Sequence, residues 1–223
     1  MIITIDGPAG TGKSTVARIV ARRLGYDFLD TGAMYRAIGL EAINREADLD
    51  DPRALAFVAR LAKIDFDFAH EPPEVLVNGH PVGSQLRSDA VTRAASFVAV
   101  VPAIREMLVE QQRRIGQERP NLVTEGRDQG TIVFPHAELK FFLDATPEER
   151  ARRRTAQLRK RGEIVDPTRI YQEMIERDRR DETRAVSPTR RAEDAVSLDT
   201  TQLEQDQVVE TIVRRAEALV RRP

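Results

Sequence analysis

Short apolar runs, rich in β-branched residues, occupy positions 2–6, 26–30, 121–125, 139–143 and 195–198. Near-continuous hydrophobicity over such short stretches is the pattern of strands buried on both faces. Between them the period changes. Val16, Ile19, Val20 and Leu24 recur at helical spacing before Gly25, and Val208, Val209, Ile212, Val213, Ala216, Leu219 and Val220 form a similar stripe near the C-terminus. Thr146-Pro147-Glu148-Glu149 reads as an N-cap, a proline at the first helical position and a capping-box glutamate, while Asp51-Pro52 and Asp166-Pro167 open two further helices. Alternating strands and helices predict an α/β fold: a doubly wound, five-stranded parallel sheet with helices on both faces.

One stretch breaks the rhythm. Residues 64–68 and 74–77 alternate like half-exposed strands, and Asn78-Gly79 supplies a hairpin turn before 80–82. Local antiparallel pairing does not belong to a parallel core, so residues 39–90 read as an insert and residues 1–38 with 91–223 as the core domain. A second departure, Arg159-Lys160-Arg161-Gly162-Glu163, lies between the helices that open at Pro147 and Pro167. It reads as part of a short mobile lid at about 150–166.

Composition narrows the chemistry. The absence of cysteine excludes disulfides, thiol nucleophiles and cysteine metal sites, and His70, His80 and His136 show no metal-ligand spacing. No run approaches the roughly 18 apolar residues needed to cross a bilayer. The chain enters a strand at once, so neither a secretory signal nor a membrane partner is expected, and the expected location is the cytoplasm. A net charge of −1 gives no global basic field. The local balance differs: between Arg150 and Arg191 lie thirteen Arg and Lys160 against seven acids. Arginine presents a planar, permanently charged fork to phosphate, although any single member of such a run is ordinarily a solvated helix residue.

The densest signal is Gly7-Pro8-Ala9-Gly10-Thr11-Gly12-Lys13-Ser14, which matches the phosphate-loop pattern G-x-x-x-x-G-K-[ST] at every fixed position, between a strand and a helix. Its glycines let successive N–H groups face phosphate oxygens, Lys13 reaches the β- and γ-phosphates, and the Ser14 hydroxyl suits Mg²⁺. An Asn-Lys-x-Asp element and an apolar strand ending in Asp-x-x-Gly, both expected of a GTP-hydrolysing switch, are missing. Instead, anion-binding residues cluster after the strands: Tyr35 and Arg36, Arg127 and Asp128, and the run from Arg177 to Arg184. Two anionic substrates brought together require positive charge on both sides.

Asp30-Thr31-Gly32-Ala33-Met34-Tyr35-Arg36, Gly126-Arg127-Asp128-Gln129-Gly130-Thr131 and Glu176-Arg177-Asp178-Arg179-Arg180-Asp181-Glu182-Thr183-Arg184 resemble the motifs of bacterial cytidylate kinases. Ala94-Ala95-Ser96 and Ile104-Arg105-Glu106 add to the likeness, which runs from the first strand to the last. Adenylate, thymidylate, gluconate and shikimate kinases share the phosphate loop but not this set. The resemblance implies a P-loop nucleoside monophosphate kinase using ATP and Mg²⁺, with residues 39–90 as its monophosphate-binding insert. ATP would be held by Gly7, Pro8, Ala9, Gly10, Thr11, Gly12, Lys13, Ser14 and Thr15, with Ser14 on the metal and Thr200 and Thr201 beside the adenine. The acceptor, CMP or dCMP, would meet Thr31, Tyr35, Arg36, Ser96, Arg105, Arg127, Asp128, Arg177, Asp181 and Arg184. Within that set, Tyr35 would pack on the nucleotide and Arg36 and Arg127 would hold its phosphate. Ser96, Arg105 and Asp128 would read the cytosine edge. Arg177 and Asp181 would meet the sugar, with Arg184 near base or phosphate. Lys13, Arg127, Arg153 and Arg154 would carry catalysis. Glu125 stands where the family often has Asp and is left outside the expected site; Thr31 replaces a frequent serine and keeps the hydroxyl.

No general base is needed in this scheme, because the acceptor phosphate is already ionised near neutrality. Two rival readings stay open. One is another monophosphate kinase, of the UMP/CMP type. The other is an ATP-dependent nucleic-acid-binding regulator using the 150–191 region. That region offers only Tyr171 as a stacking ring, so nucleic acid is not an expected partner. A monomer is expected.

Overall fold

In the computed structural model, which describes residues 1–220, the chain runs as β1 (Ile2–Asp6), α1 (Lys13–Leu24), β2 (Asp27–Asp30), α2 (Thr31–Asn44), α3 (Pro52–Leu61), β3 (Ile64–Asp67), β4 (Glu74–Val77) and β5 (His80–Pro81). It continues through α4 (Asp89–Val98), α5 (Pro102–Glu118), β6 (Leu122–Gly126), β7 (Leu139–Asp144), α6 (Pro147–Lys160), α7 (Pro167–Thr183), β8 (Val196–Asp199) and α8 (Gln205–Val220). Five strands form one parallel sheet in the order β2-β6-β1-β7-β8. These are the five segments the apolar runs predict, with ends shifted by about one residue.

Alternate side chains leave opposite faces of a strand. Ile3, Ile5, Val123, Phe141 and Leu143 pack with α1 and α8, whereas Leu29 and Leu122 pack with Val109 and Ile115 of α5 on the other face. Both faces are therefore covered, as a parallel sheet requires. The 64–82 hairpin forms a separate antiparallel sheet, β3-β4-β5, with Ile64 opposite Val77. It shares a core with α2, α3, α4 and α5, through residues such as Ile38, Leu55, Val98 and Leu108. Helix α2 runs unbroken through position 39, so the expected start of the insert falls inside it.

Two features of this frame set up the site. The strands are in register so that Asp6 lies beside Gly126 and Asp30 beside Glu125, which brings the turns after β1, β2 and β6 to one edge. That edge, at the carboxyl ends of the strands, is where open α/β sheets bind ligands. Helices α2 and α4 also approach closely at Gly39. A Cβ there would lie 2.9 Å from the Ala95 nitrogen, so Tyr35 and Arg36, one turn earlier, come to face α4.

Candidate active site

Side-chain oxygens cap α2 (Asp30), α3 (Asp51), α4 (Ser88), α6 (Thr146) and α7 (Asp166). Helix α1 is different. Its N-cap is Gly12, in the left-handed region at φ 89°, with no side chain to satisfy the first-turn N–H groups. The loop before it thus presents uncapped donors and the positive end of a helix, a geometry suited to phosphate.

Lys13 is buried, and its ammonium donates to the Pro8 carbonyl at 2.6 Å and to Thr11 Oγ1 at 3.3 Å. Burial, and then the neighbouring Arg127, push its pKa down to about 7. The Ser14 hydroxyl donates to the buried Glu125 carboxylate at 2.6 Å. Burial, and then Asp30, hold the Glu125 carboxyl above its usual range. Asp6, the last residue of β1, accepts the backbone N–H groups of Gln129 at 2.9 Å and Gly130 at 2.7 Å. Despite those bonds, burial raises its carboxyl to about 7.

Beside this loop lies a cleft, and all ten residues expected at the acceptor line it: Thr31, Tyr35 and Arg36 from α2, Ser96 from α4, Arg105 from α5, Arg127 and Asp128 after β6, and Arg177, Asp181 and Arg184 from α7 and its C-cap. Ala9, Gly10, Gly12, Lys13, Ser14 and Thr15 border the same space. Its charges interlock. Arg105 is almost fully buried and pairs with Asp128 at 2.5 Å, while its guanidinium carbon sits 5.3 Å from the Tyr35 ring centre. Arg127 Nε donates to Asp181 at 3.0 Å, and Arg36 pairs with Asp30 at 2.8 Å. Burial opposes ionisation of Asp181, but Arg127, Arg177 and Arg184 outweigh it and hold the carboxyl below its usual range. Burial pushes the Tyr35 phenol up to about 12, which keeps it neutral. Burial and Arg127 lower even the Arg177 guanidinium, to about 10.

Two hydroxyls of the expected set are engaged inside the protein. Thr31 donates to the Glu125 carbonyl at 2.7 Å, and Ser96 to the Arg93 carbonyl of its own helix at 2.6 Å. The residues expected on the outer ATP side lie elsewhere. Arg153 donates to Thr200 Oγ1 at 3.1 Å and to the Thr200 carbonyl at 2.5 Å, joining α6 to the turn after β8. Thr201 donates to Asp199 at 2.6 Å. Arg154 turns toward Asp89 at 3.4 Å and lines a second cleft, between α6 and the small sheet.

Sequence reasoning missed several lining residues. Thr92, Ala95 and Ala99 share the α4 face of Ser96 at helical spacing, which could have found them. Gln157 lies one turn after Arg154 and borders both clefts. Glu125 was set aside, yet the strand register delivers it to Ser14.

The comparisons with known proteins agree with one another. The family description "Cytidylate kinase" matches residues 3–218. A cytidylate kinase of Pseudomonas aeruginosa (strain UCBPP-PA14) is 45% identical over 219 residues, covering 97% of this chain and 95% of the relative. That of Pelotomaculum thermopropionicum is 48% identical over 217 residues, covering 97% and 96%. The crystal structure of an uncharacterized protein from Eubacterium ventriosum ATCC 27560 has a TM-score of 0.52 at 14% identity over 98% of each chain, a likeness of fold alone. With its phosphate loop, its lined cleft and a match spanning nearly every residue, the chain belongs to the cytidylate kinase family.

Proposed function

We propose that this chain transfers the γ-phosphoryl group of ATP to CMP or dCMP, giving CDP or dCDP. One observation carries the reading: side chains from α2, α4, α5, the turn after β6 and α7 converge on a single cleft that opens onto the phosphate loop. Cations there depress one another, and a polyanion relieves that repulsion. The acceptor phosphate goes to Arg36 and Arg127, the sugar to Arg177 and Asp181, and the triphosphate to the α1 N-terminus with Lys13. Because the attacking oxygen carries no proton near neutrality, rate enhancement comes from alignment and charge neutralisation. Among the described residues, the lining contains no histidine, consistent with that chemistry.

The base is read by Asp128 and Arg105. A carboxylate accepts from the exocyclic amine of cytosine, and the guanidinium donates to its ring acceptors. Uracil places a carbonyl against the carboxylate, leaving buried groups unpaired. Residues 39–90 serve as the monophosphate-binding insert, Arg153 and Arg154 as the lid cations, and the edge at Thr200 and Thr201 as the adenine side.

Mg²⁺ fits the donor set. Ser14 and Glu125 offer hard oxygens side by side, and among the described residues no three His, Cys, Asp or Glu form a cage of their own. Ser14 and Glu125 would hold such an ion, and it would supply charge neutralisation to the substrate phosphates. Among the described residues, no helix is long and apolar enough to cross a membrane.

A coupled ADP-release assay across CMP, dCMP, UMP, AMP and GMP tests the reading. CMP and dCMP are expected to turn over fastest; faster turnover of AMP or UMP overturns the specificity.

A further inference from the structure

Outside the cleft itself, helices α6 and α7 are joined by a buried ion pair, Arg150 with Asp178. Both partners also bond to the phosphate loop. Arg150 Nη1 donates to the Ala9 carbonyl at 3.1 Å, and the Ala9 N–H donates back to Asp178 at 3.4 Å. Arg150 Nε is anchored on the Ala145 carbonyl at 3.0 Å, at the end of the β7 turn. The two side chains therefore grip both polar groups of one loop residue.

The next residue is held sterically. Gly10 sits at φ +82°, and a Cβ there would lie 2.7 Å from Met174 Cε on α7 and 3.0 Å from Arg150 Cβ. Met174 is itself buried. The loop is thus clamped at Ala9 by charge and at Gly10 by packing, from two helices that also serve the acceptor cleft. Arg177 and Asp181 lie beside Asp178 on α7 and line that cleft. A pair serving only to fasten α6 to α7 would need no bond to Ala9.

We infer that Arg150 and Asp178, backed by Met174, are positioning residues that set the phosphate loop in its triphosphate-binding shape and tie it to the helices bordering the acceptor. This rests on the loop being the ATP site. None of the three lines the cleft, so their action is through the loop backbone.

The test separates positioning from plain stability. Removing one charge alone orphans the other in the interior and destabilises the fold, so the informative variant is the apolar pair Arg150→Met with Asp178→Leu. It is measured against wild type by thermal melting and by steady-state kinetics with ATP and CMP varied separately. The expected result is a cooperative melt, a KM for ATP raised about tenfold, and a KM for CMP within about twofold of wild type. An unchanged KM for ATP in the folded pair, or equal rises for both substrates, overturns the proposal. Should the pair fail to fold, Met174→Ala decides: a KM for ATP raised about threefold with that for CMP unmoved supports the clamp, and an unmoved KM for ATP removes it. Wild-type turnover of ATP with CMP in the same assay checks the underlying reading separately.

Discussion

The two halves of the cleft are built from different material. The donor half is mostly backbone: eight consecutive residues, a glycine N-cap and one lysine, all within α1 and the loop before it. The acceptor half is almost entirely side chain, gathered from five separate parts of the fold and braced by ion pairs such as Arg105 with Asp128 and Arg127 with Asp181. Backbone donors recognise any polyphosphate. On the proposed reading, placed guanidinium and carboxylate groups recognise one base and one phosphate. The division between a general donor site and a selective acceptor site therefore follows from what each is made of.

The largest effect that could break this comparison is at Lys13. Lys13→Ala is expected to lower kcat by about 10³-fold while the KM for CMP moves only slightly. Wild-type turnover in that variant would deny the donor half its single charged contributor. Next comes Asp128→Ala, expected to reduce the CMP-over-UMP preference by about 10- to 100-fold with little change in the KM for ATP. Because it orphans the buried Arg105, stability should fall by about 3–5 kcal/mol, and rates are best compared well below the melting transition. An unaltered base ratio would show that selectivity is not held in this carboxylate.

Smaller again is Glu125→Gln, for which the Mg²⁺ concentration giving half-maximal rate is expected to rise about tenfold. An unchanged Mg²⁺ titration would reduce the Ser14 bond to a structural contact. The smallest effect is in pH dependence. Lys13, held down to about 7, loses its proton as pH rises, whereas the acceptor guanidinium groups keep theirs. ATP affinity is therefore expected to fall about fivefold between pH 7 and 8, and CMP affinity to stay level. Parallel profiles in a titration of each nucleotide would erase the contrast. For folding, the sign is opposite. From about pH 7 to 10.5 the unfolded chain holds a lysine proton that the folded chain has released, so this group's contribution to stability rises with pH across that window.

The donor half was legible because its residues are contiguous and their backbone shape follows locally from glycine. The acceptor half was legible only through motif likeness, since nothing local ties Tyr35 to Arg105 or Asp181. What escaped were contacts that strand register and helix packing decide. Glu125 meets Ser14 only because β6 lies beside β1, and Asp178 meets Ala9 only because α7 crosses the loop. The bonds from Arg153, expected among the catalytic residues, to Thr200 across the turn after β8 are another such contact. The small sheet was visible in its alternation and Asn78-Gly79 turn, but not its shared core with α2, because distant apolar side chains choose partners by shape rather than by sequence period.

One carboxylate spans both halves. By accepting the N–H groups of Gln129 and Gly130, Asp6 hangs the segment that carries Arg127 and Asp128 from the very strand that ends in the phosphate loop. A homologue that selected another nucleobase by sliding this segment would lose both bonds and disturb the strand tip feeding the triphosphate. Divergence in base choice should accordingly proceed by exchanging side chains on a stationary main chain, leaving the aspartate and the glycine opposite it in place.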